Sequence, residues 1–197
     1  MEVKPVEKFL PGVLLFEPDV FEDERGFFLE TYHSKKYCDA GIEKAFLQDN
    51  HSHSCRATLR GLHYQLNRPQ GKLIYVVVGE IFDVAVDIRL GSSTFGRWTG
   101  TLLSEKNKRQ MFSPEGFAHG FCVLSEKAHV IYKCTDLYTP GDEYGILWSD
   151  PDLDIDWPID SPMLSDKDGK NPQLKDIPKH SLPVFGSDEH EKKRKQR

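Results

Sequence analysis

The sequence predicts an all-β fold, a sandwich or barrel of many short strands, with short peripheral helical pieces and a loop-rich C-terminus. Three observations carry this reading. From Val13 to Trp148 the chain divides into short runs rich in β-branched and aromatic residues. Turn chemistry separates the runs, at Asp23-Glu24-Arg25-Gly26, Gly91-Ser92-Ser93, Ser113-Pro114-Glu115-Gly116 and Thr139-Pro140-Gly141-Asp142. From Pro151 onward prolines multiply and apolar periodicity fades, as expected of loops and helical turns laid over a β-core.

In chain order, strands are expected at Val13 to Glu17 and Phe27 to Tyr32, then a short helix from Ser34 to Ala40, capped by Ser34 and stopped by Gly41. Further strands follow at Lys72 to Val78, Ile81 to Arg89, Arg97 to Leu103, Gln110 to Ser113, Gly120 to Leu124 and His129 to Tyr138. Gly79-Glu80 reads as a two-residue hairpin loop, since a leading glycine suits a type II′ turn. That hairpin would set Val76 opposite Asp83 and Lys72 opposite Asp87. It would send Leu73, Tyr75, Val77, Phe82, Val84, Val86 and Ile88 into the core, leaving Lys72, Asp83 and Asp87 to water or a polar cavity. In Leu59 to His63, strict alternation puts Arg60 and His63 on opposite faces. For the two to share a pocket the strand must bulge, and Gly61 is where a bulge costs least.

With 197 residues and 22.6 kDa the chain is expected to form one domain over residues 1–180, followed by a charged tail at 181–197. The formal charge of -5 gives no reason to expect nucleic-acid binding, and the basic run Lys192 to Arg197 reads as a solvated end. Four cysteines without C-x-x-C spacing, in a chain with no signal peptide, suggest reduced thiols in a cytoplasm; Cys122 and Cys134 read as small buried hydrophobes. The longest apolar runs are too short to span a membrane.

Arg60-Gly61-Leu62-His63-Tyr64-Gln65 and Gly71-Lys72-Leu73 put an arginine, a histidine and a lysine into β-wall sequence, where charge is rare unless paired or used. A second cluster runs from Pro114 to Phe121 and includes His119, with Tyr132 and Tyr138 beyond it. His51-Ser52-His53 has the spacing for two metal-binding imidazoles on one strand face, but no convincing third ligand accompanies it. After His63 come Tyr64 and Gln65 rather than a second histidine, so a metal site is not expected and His51 and His53 read as ordinary strand or loop histidines. Nucleophile elbows and phosphate-binding loops are absent from the sequence. General acid–base work remains: a histidine base, a tyrosine acid and a lysine that stabilises an oxyanion, here His63, Tyr132 and Lys72, need no cofactor.

The chain resembles the dTDP-4-dehydrorhamnose 3,5-epimerase family, of cupin-like jelly-roll fold, from about Val13 to Asp168. The resemblance rests on an ordered set of motifs: Asp23 to Phe28, Gln48-Asp49-Asn50, Arg60 to His63, Gly71 to Leu73, Val84 to Arg89, Pro114 to Phe121, Tyr132-Lys133 and Leu164 to Asp168. It implies that His63 is the base, Tyr132 the proton donor and Lys72 the residue at the substrate's 4-keto oxygen. Asp168 would orient the imidazole, although Asp166 lies two residues away and leaves that register open. It further implies that His119 contacts substrate, that Gln48, Asn50, Arg60, Glu143 and Lys167 contact the nucleotide sugar, and that Tyr138 stacks on thymine. Arg25 and Glu30 would reach a partner subunit's site in a homodimer. The implied reaction inverts C-3 and C-5 of dTDP-4-dehydro-6-deoxy-D-glucose, without cofactor or metal. The alternatives are a mono-epimerase or 3,4-ketoisomerase on a related dTDP-4-keto sugar, or a non-catalytic cupin-like nucleotide-sugar binder.

Overall fold

The computed structural model describes residues 10–186. Two five-stranded antiparallel sheets pack face to face as a jelly roll. The first contains β1 (Leu14–Phe16), β4 (Gln48–Cys55), β6 (Lys72–Val78), β9 (Gln110–Ser113) and β11 (Lys127–Cys134), in the order β1-β9-β6-β11-β4. The second contains β5 (Leu59–Gln65), β7 (Glu80–Asp87), β8 (Trp98–Ser104), β10 (Phe117–Val123) and β12 (Glu143–Gly145), in the order β12-β5-β10-β7-β8. A separate hairpin of β2 (Val20–Asp23) and β3 (Gly26–Leu29) precedes α1 (Ser34–Asp39).

The expected Gly79-Glu80 hairpin does not form. Strand β6 pairs with β9 and β11, whereas β7 pairs with β8 and β10, so the chain changes sheets at this turn. Gly79, at φ +83°, is required for another reason: a Cβ there would lie 2.1 Å from the Lys127 carbonyl oxygen. The expected Lys72–Asp87 pair is absent too, since Asp87 instead binds Arg89, Ser92 and Thr94.

The face expected to fill the space between the sheets is not the one that does, although Lys72 does meet a cavity as expected. The core between the sheets contains Ile74 and Val76 from β6 with Ile81 and Ala85 from β7, closed by Met111, Phe117, Phe121 and Val130. Lys72 and Asp83 alternate into that interior. Phe82, Val84, Val86 and Ile88 lie on the outer face, where they form a second core with Leu59, Leu62, Trp157, Leu174, Ile177 and Leu182. Leu73 joins a third core with Phe16, Tyr37 and Phe112 beneath α1, while Val77 is exposed. The second sheet is thus apolar on both faces, and alternation alone cannot say which face turns inward.

The C-terminal segment is fastened over the second sheet by buried and half-buried polar contacts. The Tyr64 hydroxyl donates to the Ser181 carbonyl, Trp157 Nε1 donates to the Trp148 carbonyl, and the Leu174 amide donates to buried Asp150. Short 3₁₀ turns at Asp168–Lys170, Leu174–Asp176 and Lys179–Ser181 match the expected helical pieces. Packing continues past residue 180: Leu182 is buried, and the backbone of Pro183 and Phe185 bonds Leu90. The basic run from Lys192 lies outside the described residues. In α1 the cap is His33, whose Nδ1 accepts from the Lys36 amide, rather than Ser34. Strands β2, β4 and β12 lay outside the expected set, because their sequences are polar: β4 reads QDNHSHSC and packs only one face inward.

Candidate active site

Between the sheets, beside the apolar core, lies a cavity of about 570 Å³, well within the range of small-ligand sites. Strand β5 supplies Arg60 and His63 to it, and this requires the bulge. His63 pairs with His119 and Arg60 with Phe121, so three steps along β5 match two along β10. Gly61 sits at φ +118°, and a Cβ on it would lie 2.6 Å from the Gly120 Cα. A Cβ on Gly120 would meet the Arg60 carbonyl oxygen at 2.7 Å. The two glycines therefore allow a close approach of strands that leaves Leu59, Leu62 and Tyr64 in the outer core and turns Arg60 and His63 inward.

His63 Nε2 lies 2.6 Å from Asp168 Oδ1, and Asp168 is 4 % exposed. Asp166 is exposed, so the carboxylate at the imidazole is Asp168. Burial opposes ionisation of Asp168, but the bond and charge of His63, with help from Ser165 and the Gly61 backbone, hold it below the usual carboxylate range. An ionised carboxylate can only accept, so the ring proton resides on Nε2. Nδ1 is left as the basic nitrogen.

The facing wall comes from the first sheet. Tyr132 on β11 and Lys72 on β6 both line the cavity. Burial pushes the Tyr132 phenol up, Cys134 and Glu143 add to the rise, and Arg60 opposes it, so the group is a protonated acid at neutral pH. Lys72 keeps some accessible surface where it opens on the cavity, yet protein surrounds its ammonium. Burial lowers its pKa against the pull of Cys134, Glu143 and Asp83. His119, 7 % exposed, completes this end of the cavity. Lys167 and Glu143, also on the cavity wall, form an ion pair, and Arg60 Nε donates to buried Ser54 at 3.0 Å.

Gln48 and Asn50 stand beside the cavity on β4, joined by a 3.0 Å bond, and Gln48 Oε1 accepts from the Tyr138 amide. Tyr138 is 49 % exposed at the rim. Arg25 and Glu30 lie outside this chain's own cavity: Arg25 sits at the turn of the β2–β3 hairpin bound to Asp23, and Glu30 pairs with Lys36. His51 and His53 point from β4 to the outer face of the first sheet, where His129 joins them with His51 Nε2 3.0 Å from His129 Nδ1. No group of three or more His, Cys, Asp or Glu side chains among the described residues is arranged to hold a metal ion.

Comparison with known proteins identifies the family. The family model described as dTDP-4-dehydrorhamnose 3,5-epimerase matches residues 7–176. The chain belongs to that family. A dTDP-4-dehydrorhamnose 3,5-epimerase from Shigella flexneri is 58 % identical over 161 residues, which is 81 % of this chain and 89 % of that protein. One from Pseudomonas aeruginosa is 55 % identical, covering 84 % of this chain and 93 % of its own length. Among solved structures, a dTDP-6-deoxy-D-glucose-3,5-epimerase from Legionella pneumophila, in complex with dTDP-4-keto-L-rhamnose, superposes with a TM-score of 0.90. It is 48 % identical and covers 93 % of this chain and 98 % of its own.

Sequence reasoning missed several residues of the cavity. Ser54, Phe121, Met163, Leu164 and Ser165 line it, and none of them was assigned a role from the sequence. Asp83, one of two carboxylates with Asp87 in the apolar run Ile81 to Ile88, was expected at water or a polar cavity but was given no role in the site; it bonds His119 of the cavity. Met163 had no signal, because a loop residue reaches a cavity only through the path of the chain.

Proposed function

We propose that this protein inverts C-3 and C-5 of dTDP-4-dehydro-6-deoxy-D-glucose, giving dTDP-4-dehydro-L-rhamnose by acid–base proton transfer from its own side chains. One observation carries the reading: the candidate base, His63, and the candidate acid, Tyr132, come from opposite sheets and face one cavity, with Lys72 on the same wall as Tyr132. A 4-keto group acidifies the protons on C-3 and C-5, because the carbanion delocalises onto the carbonyl oxygen. His63 Nδ1 removes a proton from one face, the Lys72 ammonium stabilises the enolate oxygen, and Tyr132 returns a proton from the other face. One base alone would return the proton to the side it came from. Asp168 keeps the imidazole in the tautomer this requires. Arg60, Glu143 and Lys167, with Gln48 and Asn50 alongside, are assigned to the nucleotide sugar, and Tyr138 at the rim to the thymine ring.

The working unit in this reading is a cytoplasmic homodimer, one domain per chain. Its support is the β2–β3 hairpin, which pairs with neither sheet and exposes Phe21 (65 %), Phe27 (55 %) and Phe28 (70 %) beside Arg25. Three exposed aromatics on one short hairpin call for a partner surface, and Arg25 and Glu30 would then enter the partner subunit's site.

Proton NMR of the dTDP-4-keto sugar with this protein in heavy water tests the chemistry. Deuterium should enter at C-3 and C-5 and both centres should invert. Exchange at one centre only would make it a mono-epimerase, and no exchange at either would make it a binder. His63→Asn should stop exchange and inversion together, a loss of about 10² to 10⁴-fold. Tyr132→Phe should keep exchange on the His63 face while inversion falls steeply. Near-normal inversion by Tyr132→Phe would overturn the division of labour.

A further inference from the structure

The cavity wall contains a second carboxylate–imidazole pair. Asp83, on the inward face of β7, is fully buried, and its Oδ1 lies 2.9 Å from His119 Nε2. Its other oxygen, Oδ2, has no hydrogen-bond partner among the described residues. A carboxylate taken wholly out of water with half its acceptor capacity unused is sustained only by positive charge close by. Two groups stand near it, a ring N–H donor and an ammonium. His119 approaches from the neighbouring strand β10, and Lys72 approaches from the facing sheet. Both line the cavity that Asp83 stands behind.

We propose that Asp83 is a positioning residue for the 4-keto end of the site: it holds the His119 ring as the Nε2–H tautomer and is the buried counter-charge that keeps Lys72 an ammonium. The inference rests on the epimerase reading, in which Lys72 must be protonated to stabilise the enolate oxygen. The groups facing Lys72 are Asp83 from β7, Cys134 from β11 and Glu143 from β12. Glu143 is already paired with Lys167, and the Cys134 thiol is pushed up by burial and so stays neutral. That leaves Asp83, bonded to the His119 ring but paired with no lysine or arginine, as the anion for Lys72. Burial raises the Asp83 pKa overall, and His119 and Lys72 are the groups that oppose that rise and favour the carboxylate. The same carboxylate fixes His119: an acceptor at Nε2 leaves Nδ1 with the lone pair, or with a second proton, on the ring edge away from Asp83.

Asp83→Asn preserves shape and removes the charge. At neutral pH kcat should fall roughly 10- to 100-fold, somewhat less than the loss of a whole oxyanion donor. KM should stay within about threefold, because Arg60, Glu143 and Lys167 are untouched. The alkaline limb of the kcat profile should move to lower pH, with activity partly recovered on acidification as Lys72 regains its proton. Tyr132 titrates higher, since burial pushes it up, and so does not set that limb. A merely structural role would lower stability without moving the limb. An Asp83→Asn enzyme with an unshifted profile and near-normal kcat, assayed beside an active wild type, overturns the inference.

A second measurement uses the wild-type protein alone. Nitrogen-15 NMR of its histidines should find His119 carrying its proton on Nε2. A ring protonated only on Nδ1, with Nε2 accepting from a neutral Asp83, overturns the assignment. This needs neither substrate nor a folded variant, so it decides the Asp83 assignment even where the wild type fails to turn over and the epimerase reading falls.

Discussion

Substituting alanine for Gly61 tests whether the bulge in β5 builds the site. Two costs are combined at this position. Its φ of +118° is one that L side chains rarely adopt, and holding a residue there costs about 1–3 kcal/mol. An added Cβ would also lie 2.6 Å from the Gly120 Cα and 2.7 Å from the His119 carbonyl oxygen, both backbone atoms, and overpacking of this kind costs about 1–3 kcal/mol. The sum, about 2–6 kcal/mol, is a large share of the roughly 5–15 kcal/mol that holds a domain together. Two controls separate the costs. Gly91→Ala, at φ +85° with nothing within 4 Å, carries the conformational cost alone. Gly120→Ala, which would meet the Arg60 carbonyl oxygen at 2.7 Å outside the positive-φ region, carries the steric cost alone. Urea unfolding should rank Gly61→Ala as the least stable of the three, with a midpoint lowered by roughly 1–3 M. Solvent exchange by its folded fraction should fall further than stability explains, because the bulge aims both Arg60 and His63. A Gly61→Ala protein as stable and as active as Gly91→Ala would refute the reasoning.

Two further outcomes are expected. Asp87 is fully buried, and although burial opposes ionisation, its bonds from Arg89, Ser92 and Thr94 hold its pKa at about 2. A depressed carboxylate contributes stability above its unfolded value of 3.8 that is lost as pH falls toward 2. Asp87→Asn should therefore cost about 2 kcal/mol at neutral pH and progressively less across that window, measured by urea midpoints at each pH. Mixing inactive Arg25→Ala and His63→Asn proteins should regain about a quarter of wild-type activity if subunits exchange, since half the dimers would be hybrids with one intact site each. Full activity from a strictly monomeric protein, or no recovery after verified exchange, would refute the shared site.

Much of the fold was legible because strands announce themselves locally. Lys72–Val78 and Gln110–Ser113 were bounded correctly from β-branched and aromatic content. The bulge at Gly61 was legible too, because alternation and a shared pocket for Arg60 and His63 cannot both hold without it. Residues with chemistry but no structural excuse, His63, Lys72 and Tyr132, could be singled out, and an ordered set of motifs gave them roles. Three things were decided only by the tertiary structure. Whether Gly79 closes a hairpin or sends the chain to the other sheet depends on Lys127, nearly fifty positions away, which leaves no room for a Cβ. Which side of β7 faces inward depends on Trp157, Leu174 and Ile177 covering the other side. The choice of Asp168 over Asp166, and the meeting of Asp83 with His119 and Lys72, arise where strands from both sheets and a C-terminal loop converge. Periodicity reports one strand's two faces; it carries no information about what each face will meet.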